Sequence, residues 1–224
     1  MRYITERELR DQFASGVPDR YDVPSGCMLT PAARQYLLDL KLYRHPSVPK
    51  RAAVAPVQTP GARKPEHMTN LNASTLVCKT HPRIVLRGKL DTLESEILLL
   101  QCTCAAEWRA PLNDALLLAR NVLAAEVRES PLPAWTLDGM GPEDVHRCSH
   151  HPEEFGFHGH ILPSPEHGLF AAQLNKLRAL ARETELAAVT AFWDGQQLTR
   201  EDIILALNRL SSYFYVLQLR AVRR

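Results

Sequence analysis

No apolar run in this chain approaches the length of a membrane span, so no bilayer-crossing helix is expected. The first ten residues, Met1 to Arg10, lack a hydrophobic block and carry Glu6 and Glu8, which does not read as a secretory signal. Cysteine is sparse and odd in number. Cys27, Cys78, Cys102, Cys104 and Cys148 have no framework spacing, which argues against a disulfide scaffold and for reduced thiols in a cytosolic compartment. Cys102-Thr-Cys104 is too tight for a zinc knuckle, and on a helix its side chains point about 200° apart, so it reads as packing. A large excess of either charge is missing as well. The net charge of +2 is too small to imply nucleic acid or an anionic membrane as partner. What remains is ordinary: 45% apolar and 23% charged residues in a chain of 224, enough for one substantial domain with a small appendage, or for two small domains.

Thr5 followed by Glu8 reads as a capping box opening a short helix near 5–14. Thr30-Pro31 opens a second, about 31–42, with apolar Ala33, Tyr36, Leu37 and Leu40 on one face. These form a small module over residues 1–44. Residues 45–66, with five prolines and four basic residues, have linker composition. Beyond it, 69–80 is polar and hydroxyl-rich and reads as a loop. Residues 67–224 then carry four long helical periods. The first, about 83–108, has a seam of Leu86, Leu90, Leu93, Ile97, Leu100 and Cys104. The second runs from Pro111 to about 129 with Leu112, Leu116, Ala119 and Leu123. The third is about 166–193. The fourth, about 199–222, starts at Thr199 with Asp202 three residues on and has a seam of Ile203, Leu207, Leu210, Phe214 and Leu217. The fold class is therefore all-α: a four-helix bundle with a small N-terminal helical module and a linker.

Two stretches stand out as chemistry. On the third helix Arg178, Arg182 and Glu185 are spaced to form one polar stripe beside an apolar stripe of Leu174, Leu177, Ala181, Thr184 and Ala188. Two arginines on one edge suit a polyphosphate clamp, although charge at such spacing is more often the solvated edge of a bundle helix. The long connection at 130–165 gathers His146, Cys148, His150, His151, His158 and His160, with His167 just after. The spacing of His146 and His150 fits a metal pair on a helix, but Pro152 and the nearby glycines disfavour a helix there. A polar loop beside a ligand pocket is the other reading. Phe155 and Phe157, set among the histidines, could stack on a large flat ligand.

Four pieces of sequence, in order, resemble the bundle-type cobalamin adenosyltransferases, and their ethanolamine-utilisation branch in particular, over roughly 66–222. Lys79-Thr-His-Pro-Arg83 running into Gly88-Lys-Leu-Asp91-Thr-Leu-Glu94-Ser95 is similar to the family's Lys-Asp-Asp stretch followed by Gly-Thr-x-Asp-Glu-Leu. His160-Ile-Leu-Pro163 is similar to Phe-Ile-Leu-Pro. Arg178…Arg182-Glu-Thr-Glu185 is similar to Arg-x3-Arg-Arg-Ala-Glu-Arg, and Leu207-Asn-Arg-Leu-Ser211 matches Leu-Asn-Arg-Leu-Ser. Leu29-Thr-Pro-Ala-Ala-Arg34 also looks like the extension of the ethanolamine branch.

The resemblance implies transfer of the 5′-deoxyadenosyl group of ATP to cob(I)alamin with release of triphosphate; a non-catalytic cobalamin-delivery protein is the alternative. It implies Asp91, Arg178 and Arg182 as catalytic residues, the first two as a salt bridge near the corrin. It implies ATP contacts from Thr69, Asn70, Lys79, Arg182, Glu185 and Asn208, with Mg2+ on the triphosphate. His160, where the family has Phe, with Phe155 and Phe157, would meet the cobalamin substrate. A reduced flavoprotein donor, a homotrimer, no nucleic-acid or membrane partner, and a cytoplasmic or protein-shelled microcompartment setting follow by the same analogy. Two departures stand out. Thr69-Asn-Leu-Asn-Ala-Ser74 replaces the family's Gly-Asp-x-Gly nucleotide loop, and counting from His67 the branch's metal-binding thiol positions hold Lys79, Thr80 and Arg83, so no structural metal of that kind is expected.

Overall fold

The computed structural model describes residues 2–14, 16–18, 21–24, 27–40, 42 and 64–222. The chain separates into two compact units, Met1–Val54 and Ala55–Arg224. The Pro-rich stretch expected at 45–66 lies outside the described residues except for its last three.

In the first unit, strand β1 (Arg2–Ile4) pairs in parallel with β2 (Cys27–Leu29), an addition to the two helices expected there. Helix α1 (Glu6–Gln12) starts with the reciprocal Thr5–Glu8 capping box, and α2 (Pro31–Asp39) has Thr30 as its cap and Pro31 in the first turn. Ile4, Leu9, Phe13, Leu29, Ala33 and Leu37 close a small apolar core.

The second unit opens on a hairpin where a loop was expected: β3 (Met68–Asn70) pairs antiparallel with β4 (Leu76–Cys78). Asn72 explains how so polar a segment does this. Its side-chain oxygen accepts the Ser74 N–H at 3.1 Å, an Asx turn that reverses the chain. Four long helices then form the bundle: α3 (Pro82–Thr103), α4 (Ala106–Arg128), α6 (Gly168–Phe192) and α7 (Glu201–Val222), with α5 (Pro142–His150) inside the long connection. α6 packs chiefly on α7 and α3, and α5 on α7. Every seam residue expected on α3 and α7 is buried, as is the apolar stripe of α6.

The break between α3 and α4 falls earlier than the proline suggests. Cys104 and Ala105 are extended, and α4 begins five residues before Pro111. The reason is Trp108. It is buried, with its ring 4.8 Å from that of Phe170, and that burial holds the extra turn in helix despite the hydrogen bond Pro111 cannot donate. Thr199 likewise does not open α7; its hydroxyl donates to the Phe192 carbonyl, and Arg200 with Asp202 ties the α7 start to the end of α4.

Candidate functional site

The hairpin is fastened to the bundle by a buried carboxylate. Glu126 of α4 is fully buried and accepts from Arg83 and Arg87 of α3, each at 2.5 Å. Arg87 also donates to the Leu71 carbonyl at 2.8 Å, and Arg83 to Glu129 at 2.7 Å. Glu126 and Glu129 together balance the two guanidiniums, and Arg87 ties the hairpin that carries Thr69, Asn70 and Lys79 to this cluster. Removing Glu126 would leave Arg87 without its carboxylate and Arg83 with Glu129 alone, a loss of about 3 kcal/mol. His81 caps α3, its Nδ1 accepting the Arg83 N–H at 3.2 Å; burial, then the nearby Arg83 charge, lowers its pKa and keeps that nitrogen free to accept. Thr69 is half-buried on β3, Asn70 is exposed, and Lys79 is exposed just past β4.

On the other side of α3 lies the arginine stripe. Lys89–Glu183 at 2.8 Å and Lys176–Glu96 at 2.7 Å fix the antiparallel register of α3 against α6. It also turns Asp91, two residues and about 200° round from Lys89, away from α6, and turns Arg178 away from α3. The Asp91–Arg178 salt bridge expected from the resemblance is accordingly not formed in the single chain. Arg178 is half-buried, and its Nε donates to Asn175 one turn away on its own helix, at 3.2 Å. Glu96 and Glu183, the acids on the α3–α6 edge, are taken by lysines, and Arg178 leaves α6 on its other flank. Glu94, one turn beyond Asp91, is largely buried. Burial raises its pKa, against the pull of Arg120 at 3.5 Å, and one of its oxygens has no hydrogen-bond partner.

Arg182 is exposed and has no ion-pair partner among the described residues. Glu185, one turn on, accepts from the Asn208 amide of α7 at 3.0 Å, and Arg209 donates to the Asn208 oxygen at 2.8 Å. Both Asn208 amide atoms are thereby oriented. Glu185 and Asn208 border a cleft of about 450 Å³ between α6 and α7, walled by Leu198, Ile204 and Leu205. So Arg178, Arg182, Glu185 and Asn208 share the α6–α7 face, while Asp91 lies on the flank of α3 turned away from α6. Thr69, Asn70 and Lys79 belong to the hairpin, with no hydrogen bond or ion pair to that face among the described residues.

The long connection divides its residues between two places. His146 and His150 do sit on a helix, α5, with ring centroids 4.3 Å apart, because Pro142 at its first position starts it and Val145 and Cys148 bury one side. Among the described residues no group of three or more His, Cys, Asp or Glu is placed to hold a metal. His160 does not join Phe155 and Phe157. Its ring stacks on Tyr215 of α7, centroids 6.0 Å apart, and its Nδ1 lies 3.1 Å from the Tyr215 hydroxyl. That hydroxyl also accepts the Ile161 N–H at 3.0 Å. With its own proton and a second lone pair left, it can donate to or accept from Nδ1 of His160. In the tautomer in which Nδ1 accepts, the ring proton is on Nε2 and no lone pair is offered to a metal. Phe155 and Phe157 instead line a cavity of about 560 Å³ with Trp108 and Met140.

Sequence reasoning missed two parts of this site. Glu126 stands one heptad after Ala119 on the apolar stripe of α4, and an acid on an apolar stripe is the signal of a buried ion pair. Tyr215 had no such mark, since a tyrosine near the bundle seam reads as core.

The family model described as cobalamin adenosyltransferase matches residues 62–221. A corrinoid adenosyltransferase EutT of Escherichia coli strain K12 is 37% identical over 166 residues, covering 74% of this chain and 62% of that relative, so the chain spans less than two thirds of it. Corrinoid adenosyltransferase EutT of Salmonella typhimurium is 30% identical, covering 99% of this chain and 93% of the relative. Among solved structures, a variant PduO-type ATP:corrinoid adenosyltransferase from Lactobacillus reuteri complexed with cobalamin and ATP superposes with a TM-score of 0.57 at 17% identity, over 70% of this chain and 87% of that one. Another variant, complexed with ATP, gives 0.54 at 18% identity over 70% and 90%. At these identities the structures speak for the fold.

Proposed function

The chain belongs to the cobalamin adenosyltransferase family, and we propose that it is a corrinoid adenosyltransferase that moves the 5′-deoxyadenosyl group of ATP to cob(I)alamin and releases triphosphate. The observation that carries this reading is the α6–α7 arrangement: Arg178 and Arg182 on one face, with Glu185 and the oriented Asn208 bordering the adjacent cleft. The leaving group is a polyanion, so fixed cations where its charge builds up lower the barrier. Arg182, unpaired and exposed, and Lys79 of the hairpin suit that task. The cleft beside Glu185 has leucine walls and carboxylate edges, which suit the base and ribose hydroxyls and repel phosphates. Thr69 and Asn70 approach the nucleotide from the hairpin. Mg2+, held mainly by phosphate oxygens and water, would travel with the triphosphate.

Cobalt(I), once formed, attacks C5′ as the nucleophile, and the C5′–O bond breaks with its electron pair leaving on the triphosphate. Forming it requires cobalt(II) without its lower ligand. His160 stands where the family has Phe, and its engagement with Tyr215 supports its acting as a neutral plane and not as a cobalt ligand. Tyr215, not Phe155 or Phe157, is its supporting ring. A reduced flavoprotein as electron donor, a homotrimer, and service to an adenosylcobalamin-dependent lyase of ethanolamine metabolism, in the cytoplasm or a protein-shelled compartment, belong to the same proposal, as do the domain limits 1–44, 45–66 and 67–224. No helix among the described residues is long and apolar enough to cross a membrane.

The test is the absorbance change as reduced cobalamin becomes adenosylcobalamin with ATP and magnesium. Turnover is expected from the full chain, and Arg182→Ala should lower it by about 10²-fold or more, the size of one lost transition-state donor. A chain that binds cobalamin but neither binds ATP nor turns over is a delivery protein.

A further inference from the structure

The cavity holding Phe155 and Phe157 is not part of the arginine face. It is built by Trp108 and Pro111 at the start of α4, Met140, the two phenylalanines after α5, and Arg220 near the end of α7. At about 560 Å³ it suits a drug-sized group and is far too small for a corrin ring with its side chains. Its walls are largely aromatic, thioether and thiol, with Glu107 as the one acid of the lining, and the aromatic part is the surface that takes a planar heterocycle by stacking. Two walls are braced from behind: Trp108 packs on Phe170, and the Arg147 guanidinium lies 5.3 Å from the centre of the Phe155 ring. Arg220, held by Asp138, adds a cation at the rim. The cavity also lies close to His160. Phe157 is three residues away along the chain, at most about 11 Å, and Arg220 is five residues beyond the His160 partner Tyr215, about 7.5 Å along α7.

We propose that this cavity is the receptacle for the lower-base nucleotide of the corrinoid once it has left cobalt. The inference rests on the substrate reading above. The step is a ligand dissociation: the cobalt–nitrogen bond breaks, its electron pair stays on the benzimidazole nitrogen, and cobalt remains cobalt(II). The base is a planar aromatic bicycle tethered to the corrin through a phosphodiester, so it needs an aromatic slot near the lower face with a cation at its edge. Stacking there stabilises the base-off form and opposes recoordination. His160 with Tyr215 would occupy the lower face, while Trp108, Phe155 and Phe157 hold what was removed from it.

The experiment compares two corrinoids on the full-length protein with ATP bound. One is cob(II)alamin; the other is cob(II)inamide, which lacks the nucleotide and its base. Phe157→Ala and the cavity-filling Met140→Trp should each weaken cob(II)alamin by about tenfold, the worth of one stacked ring, and leave cob(II)inamide within about twofold. Phe157→Tyr should behave as wild type. Saturable tryptophan quenching by the free base nucleoside, α-ribazole, tests the wild-type protein without any substitution and should occur. Equal loss for both corrinoids, or no change for either, or absence of quenching by α-ribazole, overturns the receptacle. Failure of the wild-type protein to bind either corrinoid overturns the substrate reading and the receptacle with it, so the two failures are distinguishable.

Discussion

Asp202 carries the clearest electrostatic signature in the bundle. Both its oxygens face Arg200, at 2.9 Å each, and one also accepts the Leu132 N–H at 2.9 Å. The Arg200 bonds are the chief cause that holds its pKa down to about 2, from 3.8. A depressed acid contributes stability above its unfolded pKa and loses it as pH falls through the folded value, so the contribution is complete above about pH 5 and fades between pH 4 and 2. The shift alone would be worth about 2.5 kcal/mol, and solvent at the exposed edge of the pair reduces that to about 1 kcal/mol. Asp202→Asn should therefore melt about 2–4 °C lower at pH 7. Thermal denaturation across pH should show the two proteins converging near pH 2; a gap that persists there assigns the loss to packing.

His160 poses a different question at the same scale, because one hydrogen bond decides which ring nitrogen is available. With the Tyr215 hydroxyl on Nδ1, bound cob(II)alamin should give an electron paramagnetic resonance spectrum free of side-chain nitrogen hyperfine structure. Tyr215→Phe removes that bond and lets the proton move to Nδ1. Nitrogen splitting should then appear, and turnover should fall with it. Splitting already present in the wild-type spectrum would reverse the assignment of His160 as a neutral plane.

At the level of elements, the bundle was legible because burial imposes a period. The seams of α3 and α7 and the stripe of α6 are written as leucine and alanine every three to four residues, and each position named from that period is buried. Boundaries were less legible. Pro111 looks like a helix start, and only the burial of Trp108, a long-range event, moves that start to Ala106. The β3–β4 hairpin was hidden because its pairing rests on one Asx turn and an arginine arriving from α3. The site residues were legible as motifs, but their pairing was not, since rotamers depend on neighbours from other helices. Asp91 and Arg178 illustrate this. The ion pairs that join α3 to α6 leave them on opposite flanks, and Asn175 holds the guanidinium. In the proposed trimer Asp91 of one copy is left open to meet Arg178 of the next, and a bound corrin that excludes water would strengthen that pair. Asp91→Asn should then lower turnover by about tenfold or more while shifting the melting temperature by less than about 2 °C, because no formed pair is lost in the free chain. A large melting shift with unchanged turnover would make Asp91 an ordinary bundle carboxylate.

On the scale of the whole molecule, the arginine face is open. Arg182 and Leu186 are one turn apart on α6 and therefore share its outward side, and Leu186 is 67% exposed. Leu99 on α3 and Leu117 on α4 are each more than half exposed. Exposed leucines scattered singly are ordinary, but Leu186 beside the arginine face suits a surface that a partner covers. A second copy is the partner that suits the proposed trimer, and its hairpin, with Lys79, would then meet Arg182 across the subunit boundary. Leu186→Glu places a charge in that boundary without touching the seam of the bundle. It should turn the assembly into monomers by light scattering, keep the helical circular dichroism, and abolish magnesium-dependent ATP binding measured by calorimetry. Monomers that still bind ATP with unchanged affinity would confine the nucleotide site to one chain and would require Lys79 to reach Arg182 within it.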